Sequence, residues 1–277
     1  MSVTNENAGE TISFEAIGHF RCTASYRFEV PRQAVLADNE GHVEFLPHRN
    51  FDQAISDLCG FDRIWIIYQF HLNTCWRTFV RPPRVATDKK KISVFATRAP
   101  HRPNSIGMSC VKLDYIDGLN IYVKGADILD GSPILDVKPY VPYCDSFPGS
   151  ATGWLPTTAP VEFRCSFSDL AKRQIAEVND EFGLDLGRFA QLQLLHEPTN
   201  PQTKRIRIVD ERKSRYWLGC RTWRIYFRLM ESDRKIVVEN VATGYHDYEL
   251  AQGTEDKYED KQFHRDFVKR YPFHESR

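Results

Sequence analysis

Polar side chains that could hold a charged ligand cluster in three stretches that read like strand ends. These are Val30-Pro-Arg-Gln33, Ala96-Thr-Arg-Ala-Pro-His-Arg-Pro-Asn-Ser-Ile-Gly-Met-Ser109 and Asp127-Ile-Leu-Asp-Gly-Ser-Pro-Ile-Leu-Asp-Val-Lys-Pro-Tyr140. An arginine such as Arg98 pairs with a carboxylate, while Asp127 or Asp130 supplies negative charge or accepts from hydroxyls. Gln33, together with His71 at the end of an apolar run, adds neutral hydrogen-bonding partners. Pro100, Pro103 and Gly107 give the 99–107 loop a fixed course, so that its backbone can donate and accept at close range. Read alone, Asp130-Gly-Ser-Pro133 is also an ordinary turn, and a histidine closing a buried strand is an ordinary structural residue.

Several common chemistries are excluded by what is missing. No two glycines stand at G-x-G spacing and no G-x-x-x-x-G-K-[ST] occurs, which removes the main support for Rossmann and P-loop nucleotide binding. G-x-S-x-G and H-E-x-x-H are absent as well. The 7 cysteines are odd in number with no C-x-x-C pair, so they read as reduced, mostly buried thiols, and no metal site is expected.

At 277 residues, with 42% hydrophobic and 27% charged residues, the composition is that of a globular chain with a substantial core. The polar, acidic stretch from Met1 to Thr11 and the lack of an apolar run of membrane-spanning length lead to the expectation of a cytoplasmic protein. The 37 basic and 37 acidic residues cancel overall but not locally. Between Arg77 and Arg102 eight bases face one acid, and between Thr203 and Lys235 eleven bases face four acids. Two such islands can present a phosphate-binding face on a neutral protein, because attraction follows local potential; solvated arginine-rich strand faces are the plainer reading of either island.

Strand patterning dominates residues 12–148. Arg63–His71 is rich in β-branched and aromatic residues and reads as a central strand. Further strands are expected over 12–22, 92–98, 109–116 and 119–128, the last two joined by a hairpin at Asp117-Gly118, with a short helix over 51–58 capped by Asn50. Many strands with turn signals between them favour a barrel or sandwich. A Gly-, Pro- and Thr-rich passage marks a linker, placed at 149–160. Beyond it, residues 161–250 predict a smaller α+β domain. Its first helix is capped by Ser168 and ended by Gly183, a second stops before Pro198, and strands follow over 204–209, 216–229 and 235–241. Residues 251–277 form a charged tail with interspersed aromatics, either a docking helix or a loose end.

The motif Phe95-Ala-Thr-Arg-Ala-Pro-His-Arg-Pro-Asn-Ser-Ile-Gly-Met-Ser109, followed by Asp130-Gly-Ser-Pro-Ile-Leu-Asp-Val-Lys-Pro-Tyr140, resembles the signature of the TsaA-like, or TrmO, family. Pro31-Arg-Gln33, Phe61–His71 and Val80-Arg-Pro-Pro-Arg84 match in the same order, so the resemblance covers about residues 12–148. It implies a mainly β fold, with a small N-terminal β-barrel plus a smaller α+β C-terminal domain. It also implies S-adenosylmethionine-dependent methylation of the exocyclic nitrogen of threonylcarbamoyladenosine at tRNA position 37, beside the anticodon, by a homodimer that holds the cofactor near its interface. The cofactor residues it implies are Gln33, Phe70, His71, Arg98, Cys110, Asp127, Leu129, Asp130, Gly131 and Ser132, with Phe70 and Leu129 flanking the adenine. His71, Asp130 and Tyr140 are the candidate bases by residue type. For the tRNA anticodon loop, the candidates are Arg81, Arg84, Arg102, Lys204, Arg205 and Arg207, with Trp217, Trp223 or Tyr226 as stacking surfaces where they are not core. The second domain has Glu197-Pro-Thr-Asn-Pro201 where a D-P-R-P-like element is expected. The competing expectation is a non-catalytic barrel that binds RNA or a small ligand.

Overall fold

The computed structural model describes residues 11–26, 29, 40–82, 91–155, 161–196, 198–199 and 205–273. Gln33, Arg84 and Lys204 lie outside the described residues, as do Pro31, Arg32, Glu197, Asn200 and Pro201. The chain divides into two compact units, Met1–Ala151 and Thr152–Arg277.

In the first unit the strands are β1 (Gly18–Arg21), β2 (Glu40–Phe45), β3 (Arg63–Gln69), β4 (Phe79–Val80), β5 (Ile92–Ser93), β6 (Ile106–Asp117), β7 (Asn120–Lys124) and β8 (Pro133–Pro139). Short helices α1 (Phe51–Ala54) and α2 (Pro142–Asp145) accompany them. Six strands form a closed barrel in the order β1-β2-β7-β6-β3-β8, and Gly18 opposite Ile134 brings β8 back to β1. Closure leaves no unpaired edge. Period-two alternation fills the interior: Phe20, Val43, Ile64, Ile66, Val111, Ile121 and Ile134 are all fully buried. As the apolar run predicts, β3 is central, paired with β6 on one side and β8 on the other. The Asp117-Gly118 hairpin forms as expected, with Asp117 opposite Asn120 and Gly118 at φ 55°.

The expectation of mostly buried thiols fails, since only Cys220 is buried while Cys59, Cys75 and Cys144 are exposed. Three further local expectations are corrected. Residues 51–58 make one α-turn followed by a 3-10 turn over Ser56–Gly60, and Asn50 is left-handed (φ 54°) with no side-chain cap bond. The strand expected over 92–98 stops at Ser93 and becomes a 3-10 turn, Val94–Ala96. There the Val94 carbonyl accepts from Thr97 Oγ1 and Arg102 Nη1, so side chains take up a group a ladder would use. The run expected as one strand over 216–229 is two strands, separated at Arg221-Thr222.

The second unit comprises β9 (Arg164–Phe167), α3 (Asp169–Phe182), α4 (Leu186–Leu194), β10 (Ile206–Asp210), β11 (Arg215–Cys220), β12 (Trp223–Met230), β13 (Lys235–Thr243) and α5 (Lys261–Arg270). Its sheet runs β10-β11-β12-β13-β9, antiparallel except that β9 joins β13 in parallel. Ser168 caps α3 by accepting from the Ala171 amide at 3.0 Å, and Gly183 ends the helix at φ 60°. The aromatic stretch near the C-terminus forms α5, whose Phe267 packs edge-on against Trp223 and is 1% exposed. Among the described residues no helix is long and apolar enough to cross a membrane.

Candidate active site

One rim of the barrel collects the ends of β1, β3 and β7 and the starts of β6 and β8, and most of the expected residues meet there. Phe70 and His71 continue from β3, and Asp127 to Ser132 lead into β8. The turn that carries Asp130 is fixed by backbone bonds. Gly131 N donates to the Phe20 carbonyl at 2.8 Å, Asp130 N to that of Ala24 at 3.0 Å, and Phe20 N to that of Ser132 at 2.9 Å. Asp130 Oδ1 accepts from the Cys22 amide at 3.0 Å, tying the same turn to the end of β1. Across the rim, Ser132 Oγ lies 3.3 Å from His71 Nδ1, with Ser132 itself 2% exposed.

A second polar group sits inside the barrel mouth. Ser109 Oγ donates to Asp127 Oδ1 at 2.5 Å and lies 3.4 Å from the Tyr68 hydroxyl. Burial, reinforced by the Asp127 charge and opposed by the Ser109 bond, pushes the Tyr68 phenol well above its usual range, so it stays neutral. Burial also lifts the Cys22 thiol to about 11, with the charges of Asp130 and Glu29 adding to it, which leaves it an inert wall rather than a nucleophile. Gly107 is required by close approach: a Cβ there would come within 2.5 Å of the Tyr68 ring and 2.9 Å of Phe70. The edge-to-face pair Tyr68–Phe70, centroids 5.2 Å apart, therefore rests directly on the start of β6. Phe70 and Leu129 are both half-buried.

The loop expected to border the site is pinned from within. Arg102 Nη1 donates to the Thr97 carbonyl at 2.9 Å and its guanidinium lies 5.6 Å from the Phe95 ring, so Arg102 holds the loop's own course. Arg98 and Arg81 are exposed. His101 keeps a buried Nδ1 with no hydrogen-bond partner among the described residues. Two expected residues lie elsewhere. Tyr140 follows β8 at the opposite rim, where its amide donates to the Arg63 carbonyl at 3.0 Å and its ring meets Trp65. Cys110 faces outward from β6 opposite Trp65, its thiol raised by burial against the opposing pull of Arg63. Ser109 and Tyr68 were not anticipated; the signal was a serine at an inward position of β6, between Gly107 and Val111.

In the second unit Trp223 and Tyr226 are core residues, 2% and 4% exposed, while Trp217 is half-buried beneath the Arg224 guanidinium, 4.9 Å from its ring. Arg205 and Arg207 are exposed.

Residues 19–146 match the family described as the tRNA-methyltransferase O N-terminal domain. A putative S-adenosylmethionine-dependent methyltransferase, RcsF, of Pseudomonas aeruginosa is 34% identical over 216 residues, 77% of this chain and 90% of the relative. The chain belongs to the tRNA-methyltransferase O family. The Escherichia coli relative named tRNA (adenine(37)-N6)-methyltransferase is 32% identical over 179 residues, covering 62% of this chain and 76% of that one. A crystal structure of TrmO superimposes with a TM-score of 0.61 at 31% identity, over 84% of this chain and 100% of the other. Membership in the tRNA-methyltransferase O family thus extends past the barrel into the second unit, although the matched family domain ends at residue 146.

Proposed function

We propose that this protein is an S-adenosylmethionine-dependent tRNA methyltransferase acting at adenine 37, on the exocyclic nitrogen of threonylcarbamoyladenosine. The observation that supports the reading is the barrel rim, onto which a chain of this family brings the segment after β3 with Phe70 and His71 and the segment before β8 with Asp127, Leu129, Asp130 and Ser132. The donor set fits the cofactor: half-buried apolar side chains for adenine, carboxylates for ribose hydroxyls and positive charge, and within the 99–107 loop the buried His101 Nδ1, which has no hydrogen-bond partner among the described residues. Gly131, at φ 72° with nothing within 4 Å of a built Cβ, leaves room at the turn. Gln33 and Arg98 complete the proposed set.

S-adenosylmethionine, when bound, supplies a methyl group on a sulfonium with a good leaving group. The chain's task is then to position the acceptor for in-line displacement, with no covalent enzyme intermediate and no metal. Phe70 and Leu129 orient the cofactor's base, and Asp127, held by Ser109, stands ready to accept hydrogen bonds. A urea-like N–H is a weak nucleophile until its proton is withdrawn. His71 performs this in the tautomer whose Nδ1–H donates to Ser132 Oγ, which puts the acceptor lone pair on Nε2. Asp130 is the alternative base. Tyr140, at the other rim, reaches the site only from a second copy.

The family resemblance supports a homodimer, and so do the large apolar residues the first unit exposes, among them Phe95 at 72% and Met108 at 58%. Arg81, Arg84, Arg102, Lys204, Arg205 and Arg207 are proposed to hold the anticodon arm, and the protein to work in the cytoplasm, where its tRNA is. The deciding experiment is methyl transfer from labelled S-adenosylmethionine to one tRNA with and without the threonylcarbamoyl group. Only the modified tRNA should accept, because a pocket built for that group leaves buried polar partners unpaired without it. Equal transfer to both rejects the substrate. No transfer to either, despite cofactor binding, favours a non-catalytic barrel.

A further inference from the structure

The second unit contains a cleft of about 510 Å³ bordered by Arg205, Arg207, Arg221, Arg224, Trp217 and Tyr245. Glu249, its acidic neighbour, already accepts from the His246 amide at 2.8 Å. Four arginines against this one carboxylate leave the cleft cationic, and its size is that of a small-ligand site. We infer that it binds one unpaired nucleotide of a single-stranded RNA segment, with the phosphate on Arg221 and Arg207 and the base on the Trp217–Arg224 stack.

The cationic side chains are held, not merely present. Arg224 lies over the Trp217 ring at 4.9 Å while Nη2 donates to the Gly244 carbonyl at 3.2 Å, so the stacking surface exists before any ligand arrives. Arg207 stands opposite Trp217 in the β10–β11 register, and its Nη1 donates to the Ile206 carbonyl at 3.2 Å. Gly219 forms the floor: a Cβ there would press to 3.3 Å from the Trp217 ring. Arg221 occupies the turn between β11 and β12 at φ 47°, a conformation that glycine or asparagine adopts more readily. Its neighbour in the turn, Thr222, is buried and donates to Asp260 Oδ2 at 2.7 Å, with His264 Nε2 3.0 Å from the same hydroxyl. Tyr245, on the cleft wall, donates to the other Asp260 oxygen at 2.7 Å. A buried network thus keeps the strained arginine in place, the pattern expected where strain serves a ligand clamp.

Guanidinium forks match phosphate geometry, and unpaired bases stack on tryptophan and arginine planes. A phosphorylated peptide would use the arginines but not the aromatic stack, which is why RNA is the better fit. The inference rests on the reading of RNA as the substrate and adds where an unpaired nucleotide is held.

The test is fluorescence titration of the full chain with an unstructured oligoribonucleotide of about seven nucleotides. AMP and a phosphoserine peptide serve as comparison ligands, at several salt concentrations. The oligoribonucleotide should bind more tightly than either and quench tryptophan emission. Trp217→Leu should abolish that quenching and weaken binding by about tenfold or more. Arg221→Gly should weaken binding and reduce the salt slope by about 0.7, while its melting temperature stays level or rises because the turn is relaxed. Both variants should keep wild-type affinity for S-adenosylmethionine. Unchanged oligoribonucleotide affinity in both variants overturns the inference, as does equal binding of AMP or of the phosphopeptide. If wild-type protein fails to methylate tRNA while the oligoribonucleotide results hold, the proposed reaction falls and the cleft stands. The reverse result removes the cleft alone.

Discussion

At the scale of single residues, the proposed chemistry turns on one contact, Ser132 Oγ to His71 Nδ1 at 3.3 Å. If that serine selects the tautomer whose Nε2 accepts the proton, its removal should act on turnover rather than on binding. His71→Asn is expected to lower kcat by about 10²- to 10⁴-fold, the usual range for loss of a general base, and to flatten the acidic limb of the pH–rate profile. Ser132→Ala should give a smaller fall in kcat with KM for tRNA unchanged. Steady-state kinetics across pH check both, and a pure KM effect in either would make the pair a binding feature. Cys22 gives a second residue-level test. With its thiol raised to about 11, it holds little thiolate at pH 8, so alkylation followed by peptide mass spectrometry should label the exposed Cys59, Cys75 and Cys144 first and Cys22 last. Early modification of Cys22 would mean that the Asp130 turn opens readily in solution.

At the scale of elements, the most informative junction is α5 on the second unit's sheet. The helix is anchored by an apolar contact, Phe267 on Trp223, and by the buried cluster of Asp260, Thr222, Tyr245 and His264. Burial works against the charge on Asp260, yet hydrogen bonds from His264, Thr222 and Tyr245 together outweigh it and hold the carboxyl below the usual carboxylate range. A group whose folded pKa is depressed adds stability that is fully present above its unfolded pKa, about 3.9, and is lost as pH falls through the folded value. Urea unfolding below about pH 4 should therefore show stability falling with acid in the wild type and falling less steeply in Asp260→Asn. At neutral pH the same variant should be less stable by about 1–3 kcal/mol, because an amide cannot accept from both Thr222 and Tyr245. Identical acid limbs would place the pH dependence elsewhere.

At the scale of the whole molecule, the barrel encloses its own core, built around residues such as Phe20, Ile64 and Ile134, while the second unit has another around Trp223, Phe227 and Phe267. Perturbations should therefore be felt unit by unit. S-adenosylmethionine at about 100 times its Kd should stabilise the unit that binds it by about 2.7 kcal/mol, raising the barrel's melting transition. Phe267→Ala should cost about 3–5 kcal/mol and lower the other transition. Calorimetry with and without ligand reads both shifts, and one transition moved equally by both changes would show the two cores to be cooperative. Light scattering on the same samples should give about twice 32.2 kDa if the proposed dimer forms.

Much of this architecture is written locally in the sequence. The β-branched run of β3, the Asp117-Gly118 hairpin, the Ser168 cap and the Gly183 stop all depend on near neighbours, and each forms at its expected place. Family motifs likewise mark the stretches that supply the barrel rim, residues 70–71 after β3 and 127–132 before β8. Where side-chain bonds compete with backbone pairing, as at Val94 with Thr97 and Arg102, strand propensity loses to local side-chain contacts only three and eight positions along the chain. What the tertiary structure decided depends on which strand ends meet. Pairing β8 beside β3 sets Ser132 near His71, 61 positions apart, and pairing β6 with β7 brings Ser109 to Asp127, while the length of β8 carries Tyr140 to the opposite rim. The cationic cleft has the same origin: β10, β11 and β12 bring dispersed arginines around Trp217 only because sheet register, a long-range property, places them there.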